Sequence, residues 1–181
     1  MFTLARIFLL TGTPGVGKTT VLFKVADALK ARGISVGGMV SCEVREDGLR
    51  VGFEIVDLGS GKRGWLAQVN QKIGPKVGKY RVNIADLERI GVKAIKAAME
   101  NCVVVAVDEI GPMELFSPRF KEAVKGVLES SKVVLAVVHA KAHDSLITQA
   151  KERSDLEIIV ITVANRAGVA ELLTDKILSV I

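Results

Sequence analysis

The nine residues from Gly12 to Thr20, GTPGVGKTT, constrain this chain more than any other stretch. They follow the spacing G-x-x-x-x-G-K-T, with Gly12, Gly17, Lys18 and Thr19 on its fixed positions. Such a loop wraps a chain of phosphates in backbone N–H groups, which needs residues without Cβ where the backbone comes close. It must also open a helix, because the unpaired N–H groups and positive dipole end of a helix favour an anion. The flanking residues meet both demands. Ile7 to Leu10 is apolar enough for a buried strand, and Val21, Leu22, Val25, Ala26 and Leu29 have the spacing of a helix that buries one face. Gly33 then stands where a helix C-cap belongs. In this arrangement Lys18 meets the β- and γ-phosphates, and the Thr19 hydroxyl is placed to ligate Mg²⁺.

A chain of 181 residues is expected to form a single domain, 1–181. Its 49% hydrophobic residues, with only 4% aromatics, suit a parallel sheet covered by helices. The net charge of +5 suits a polyanionic ligand and also permits nucleic acid. The basic residues are scattered, so nucleic acid is possible but not favoured. Cys42 and Cys102 have neither disulfide-framework nor metal-site spacing. The N-terminal apolar residues run directly into the glycine loop and read as a strand, not as a signal peptide. No stretch reaches membrane-spanning length, and a monomeric cytoplasmic protein is the expectation.

Ile34 to Val40 reads as a second strand. Val40 to Glu46, Asp47-Gly48 and Leu49 to Leu58 then form a hairpin, with Gly59-Ser60-Gly61 turning into Lys62 to Gln68. Val69 to Lys79 lacks periodicity and reads as a mobile loop. A helical pattern runs from Ile84 to before Asn101, with Gly91 interrupting it. CVVVAV, residues 102–107, is a buried strand closed by Asp108 and Glu109. Strands over Lys132 to His139 and Glu157 to Val163 alternate with helices over Pro118 to Ser130, Asp144 to Lys151 and Gly168 to Val180. The pattern predicts a three-layer α/β fold, a mostly parallel sheet with an antiparallel insertion over 41–82.

An acid at the end of an apolar strand, following such a loop, is the second metal-holding element. Asp108 fills that place opposite Thr19. Its neighbour Glu109 is the candidate general base for water attacking the γ-phosphate, the alternative being a helix-start carboxylate. His139 ends a strand that would sense the γ-phosphate if it lay beside the first strand; a structural role is its other reading. Glu114 reads as a surface cap and His143 as a solvated loop or cap residue. Positive charge against the leaving group has six candidates in or after the insertion: Arg45, Arg50, Lys62, Arg63, Lys79 and Arg81. Arg45 and Arg50 come first. After the last strand, Asn165 has the groups to bond a base edge or to cap a helix, and Arg166 has a flat cation that can stack on a base. No N-K-x-D signature supports strict guanine recognition.

These residues together resemble the THEP-type nucleoside-triphosphatases, small thermostable archaeal and bacterial enzymes with a vertebrate relative. GTPGVGKTT, E-V-R-E-D-G-L-R-V-G-F at 43 to 53, G-K-Y at 78 to 80, V-D-E-I-G-P-M-E-L at 107 to 115 and T-V-A-N-R at 162 to 166 carry the resemblance. It spans nearly the whole chain, and the V-D-E-I-G-P-M-E-L strand end and the hairpin are its most specific parts. The resemblance implies a P-loop NTPase fold with RecA-like sheet order, the fourth strand lying beside the first. It implies slow, Mg²⁺-dependent hydrolysis of ATP, GTP and other triphosphates, CTP and UTP included, to diphosphate and phosphate. It also implies nucleotide contact by the loop, Gly12, Thr13, Pro14, Gly15, Val16, Gly17, Lys18 and Thr19 (with Thr20 next to it), and along Val103, Val104, Val105, Ala106, Val107, Asp108, Glu109 and Ile110. Two rival readings are a nucleotide or nucleoside kinase and a nucleic-acid-binding ATPase switch. The kinase needs an arginine-rich lid, and residues 139–156 hold only Arg153.

Overall fold

The computed structural model describes residues 5–140, 142 and 144–181. His143 lies outside the described residues. The apolar runs form the centre of one nine-stranded sheet. In chain order the strands are β1 (Ile7–Thr11), β2 (Val36–Glu46), β3 (Leu49–Asp57), β4 (Arg63–Gln68), β5 (Lys76–Val77), β6 (Tyr80–Val82), β7 (Val104–Ile110), β8 (Val133–Val138) and β9 (Leu156–Val160). Their order across the sheet is β5-β6-β4-β3-β2-β7-β8-β1-β9. From β2 to β9 every pairing is parallel, and from β2 out to β5 every pairing is antiparallel. The inserted segment is thus four strands of the same sheet and not a detached hairpin. The strand β8 does lie between β1 and β7.

Central strands buried on both faces have no polar side, which is why residues 102–107 read as an unbroken apolar run. Side chains alternate between two cores. Ile7, Leu9, Val105 and Val107 face α3 (Lys93–Asn101), α4 (Pro118–Glu129) and α5 (Ser145–Lys151). Phe8, Leu10, Val104 and Ala106 face α1 (Lys18–Ala31) and α6 (Val169–Leu178). The helix α1 buries Val21, Leu22, Val25, Ala26 and Leu29, the residues its period selects. It ends with the Gly33 N–H on the Lys30 carbonyl and the Ile34 N–H on that of Leu29.

Two segments differ from the sequence expectation. Between α2 (Ile84–Asp86) and α3 the chain is π-helical over Leu87–Val92. Gly91 packs so closely there that a Cβ would stand 2.7 Å from Met39 Sδ. Residues 69–79 are not a free loop. Lys76 and Val77 pair with Arg81 and Tyr80, Val82 N–H donates to the Pro75 carbonyl, and Arg81 donates to that of Gly74. Strands of two or three residues are too short to show an alternation. Among the described residues no helix is long and apolar enough to cross a membrane.

Candidate active site

The loop between β1 and α1 is shaped by two glycines. Gly17, at φ 107°, turns the chain directly into α1, whose first turn has no side-chain cap. Its N–H groups are left facing the loop, as an anion site requires. Gly12 touches the backbone that follows β9, where a Cβ would come 2.5 Å from the Ile161 carbonyl oxygen. Lys18 is buried beneath the loop, and its ammonium donates to the carbonyls of Gly12 and Thr13, both at 3.1 Å. The cation is therefore held on the loop that its charge serves.

The buried strand β7 delivers two acids to this point. The pairing of β7 with β8 breaks between Val107 and Ile110, and the Asp108–Glu109 peptide bond is cis. Asp108 is 1% exposed. Burial pushes its carboxyl up to about 7, with Glu109 adding to the shift and the Thr19 hydroxyl and Lys18 opposing it. Thr19 donates to this carboxylate, while among the described residues Asp108 Oδ2 is buried without a hydrogen-bond partner. An orphaned carboxylate oxygen is costly. A hydroxyl and an unpartnered carboxylate together are the hard oxygen donors that a divalent cation takes alongside phosphate oxygens and water. Glu109 is half-buried and points into the cleft, its carboxyl raised by burial and lowered by His139 and Lys18. His139, just beyond β8, reaches the same space because β8 lies between β1 and β7.

The cleft has a volume of about 610 Å³. One wall is the loop, with Pro14, Gly15, Gly17, Lys18, Thr19 and Thr20. The opposite wall comes from the insertion: Ser41, Glu43, Arg50, Phe53, Val77 and Tyr80. Of the six basic candidates only Arg50 lines it. The Arg50 guanidinium donates to the Tyr80 hydroxyl at 3.0 Å and to Glu43 at 2.8 Å, and lies 5.3 Å from the Phe53 ring centre. Arg45 is exposed and bonds Glu43 and the Gly48 carbonyl at the hairpin tip. Arg63 pairs with Glu54, Lys79 lies over the Tyr80 ring, Arg81 is tied to Gly74, and Lys62 does not line the cleft.

Other expectations move. Glu114 is not on the surface; it is buried, lines the cleft and accepts from the Gly111 N–H and its own. Of Val103 to Ile110, only Asp108 and Glu109 line the cleft. Val104, Val105, Ala106, Val107 and Ile110 are core side chains, and Val103 sits at the far end of the strand with its N–H on Ser35. A strand end can present only its last residues to a ligand. Gly12, Thr13 and Val16 line a second hollow of about 400 Å³ on the other side of the loop, with Ala140 and Val160 to Val163. Asn165 has its amide occupied locally: its oxygen accepts from the Thr162 N–H and its nitrogen donates to the Val160 carbonyl. Arg166 donates to the Val16 carbonyl and lies across Gly17. The cleft residues that motif spacing missed, Glu43, Phe53 and Tyr80, stand within E-V-R-E-D-G-L-R-V-G-F and G-K-Y, the one signal that marked them.

A phosphate loop, a buried acid opposite its threonine and a strand between the two define a P-loop nucleoside-triphosphatase fold. The family model described as NTPase matches residues 7–178, and the chain belongs to that family. It is 50% identical over 163 residues to the nucleoside-triphosphatase THEP1 of Thermofilum pendens, covering 90% of each chain. With the same-named protein of Methanosarcina barkeri it shares 45% over 159 residues, 87% of this chain and 89% of that one. The solution structure of a human cancer-related nucleoside triphosphatase superposes with a TM-score of 0.82 at 33% identity, covering 97% of this chain and 98% of the other. The crystal structure of THEP1 from Aquifex aeolicus gives 0.81 at 28%, covering 92% and 96%.

Proposed function

We propose that this chain is a Mg²⁺-dependent nucleoside-triphosphatase that converts ATP, GTP, CTP and UTP to diphosphate and phosphate, slowly and with little regard to base. The observation that carries the reading is the buried Asp108 oxygen without a partner, beside Thr19 and next to Glu109. The relatives' shared name, nucleoside-triphosphatase, agrees with it. The loop N–H groups and Lys18 bind the β- and γ-phosphates, and Thr19 and Asp108 are the residues that would hold Mg²⁺. When bound, the cation neutralises charge developing between the β- and γ-phosphates.

Glu109 orients a water for in-line attack and takes its proton. The water oxygen bonds phosphorus as the bond to the bridging oxygen breaks, and the diphosphate keeps that electron pair. His139 reports on the γ-phosphate, and Arg50 supplies positive charge from the opposite wall. Two local bonds hold the Asn165 amide to the Val160–Thr162 backbone rather than leaving it wholly free to select a base, while Arg166 offers a flat face to any. The test is phosphate release from the purified chain with Mg²⁺ and each of the four triphosphates, no acceptor present. Release from several is expected. Tight binding with no release from any would instead favour a kinase or a switch. Glu109→Gln should bind nucleotide as before and lose about 10²- to 10⁴-fold in turnover; normal turnover would remove Glu109 from the mechanism.

A further inference from the structure

Glu114 is a buried carboxyl that this chemistry does not use. It opens a single 3-10 turn, Glu114–Phe116, reached from β7 through Gly111, Pro112 and Met113. It is 3% exposed, yet it lines the same cleft as Glu109 and Lys18. Capping its own turn explains the two backbone N–H groups it accepts from. It does not explain a buried acid, because a small polar residue at a surface turn caps as well without losing its hydration. Among the described residues no ion pair to a cation balances Glu114. Burial, with the acids Glu109 and Asp108 adding to it, raises its proton affinity well above the usual range.

The local geometry supplies the missing reason. A methyl group built on Gly111 would stand 3.1 Å from Glu109 Oε1, 3.2 Å from Glu109 Cγ and 3.2 Å from Glu114 Oε2. The two side chains therefore converge on the space that a larger residue at 111 would fill. Glu114 is fixed to this turn by its backbone bonds, whereas Glu109 has the freedom of a three-torsion side chain.

We propose that Glu114 is a positioning residue for hydrolysis: locked to the Gly111 turn, its carboxyl braces the Glu109 side chain toward Lys18 and the phosphate end of the cleft. The inference rests on the reading of Glu109 as the base. In this role Glu114 acts through Glu109. The role predicts that a neutral hydrogen-bonding replacement works and an apolar one does not.

The experiment is steady-state kinetics with ATP and Mg²⁺ on Glu114→Gln, Glu114→Leu, Gly111→Ala, Glu109→Gln and the Glu109→Gln/Glu114→Leu pair, with nucleotide affinity and melting temperature measured for each. Glu114→Gln should keep kcat within about threefold. Glu114→Leu should lower kcat by about 10- to 100-fold with KM and nucleotide affinity nearly unchanged, the size expected for a misplaced catalytic group. Added to Glu109→Gln, it should cost nothing further, because the group it positions is gone. Should Glu114→Leu fail to fold, Gly111→Ala decides the matter, since it crowds both side chains, retains the cap and should lower kcat alike. Wild-type kcat in folded Glu114→Leu or Gly111→Ala overturns the brace, as does an equal loss with and without Glu109. Normal turnover by Glu109→Gln would instead fell the base assignment, and the brace with it.

Discussion

At the scale of the residue, Asp108 makes the free protein sensitive to pH in an unusual direction. Its carboxyl titrates near 3.8 in an unfolded chain and near 7 here, chiefly because it is buried. Between those values the native state holds more protons than the unfolded state, so stability falls as pH rises through the window. Glu109 and Glu114 are shifted the same way. The acids lowered by partners, Glu43 beside Arg50, Asp144 beside Lys121 and Asp155 beside Arg153, act oppositely but only below about pH 4.5. At about 1.4 kcal/mol per tenfold change in proton affinity, the Asp108 effect is of the order of a few kcal/mol. Without divalent cation the chain should therefore melt lower at pH 8 than at pH 5.5, and Asp108→Asn should flatten that slope. A melting temperature that rises across the interval would contradict the assignment. The phosphate loop and Asp108 were legible in the sequence because their signals lie within a few neighbouring residues. Glu114 was not, because its burial depends on how the turn after β7 packs beneath the cleft.

At the scale of the element, the insertion does for Arg50 what β7 does for Asp108. Three contacts, to Glu43, Tyr80 and Phe53, hold one guanidinium against the cleft. Arg50→Ala should lower kcat by about 10²-fold with nucleotide affinity retained, as removal of a charge-stabilising donor does. Tyr80→Phe, losing only the hydroxyl that accepts from Arg50, should show a smaller loss of the same kind. Arg50→Lys should not restore activity, since an ammonium cannot keep both side-chain bonds in that geometry. Wild-type kcat in Arg50→Ala would remove the arginine from the reaction. The choice between Arg45 and Arg50 was closed to sequence reading for a definite reason. Counting by twos from Glu43 places Arg45 on the cleft face, but the β2–β3 register slips between Val44 and Arg45. The π-helical turn was hidden similarly, because its apolar spacing passes for ordinary helix and only Gly91 marks the place.

At the scale of the molecule, alternating apolar runs and helical periods were enough to foresee the parallel core, while the strand between β1 and β7 was implied only by the family resemblance. They did not foresee that the insertion would continue the same sheet through pairings as short as two residues. A non-hydrolysable triphosphate with Mg²⁺ should stabilise the whole chain by about 2.7 kcal/mol at a hundred times its Kd. Lys18→Ala should abolish most of that shift and lower hydrolysis too; a full shift in Lys18→Ala would show that the loop cation does not hold phosphate. The continuity of β2 has a mechanical consequence. Its first half is laced to β7 as far as Asp108, and its second half carries Glu43 and the hairpin that bears Arg50. Moving that arginine away from the acids means tearing rungs from a stiff ladder. The acids and the wall opposite the phosphates are thus joined through one strand and take their spacing from its pairings.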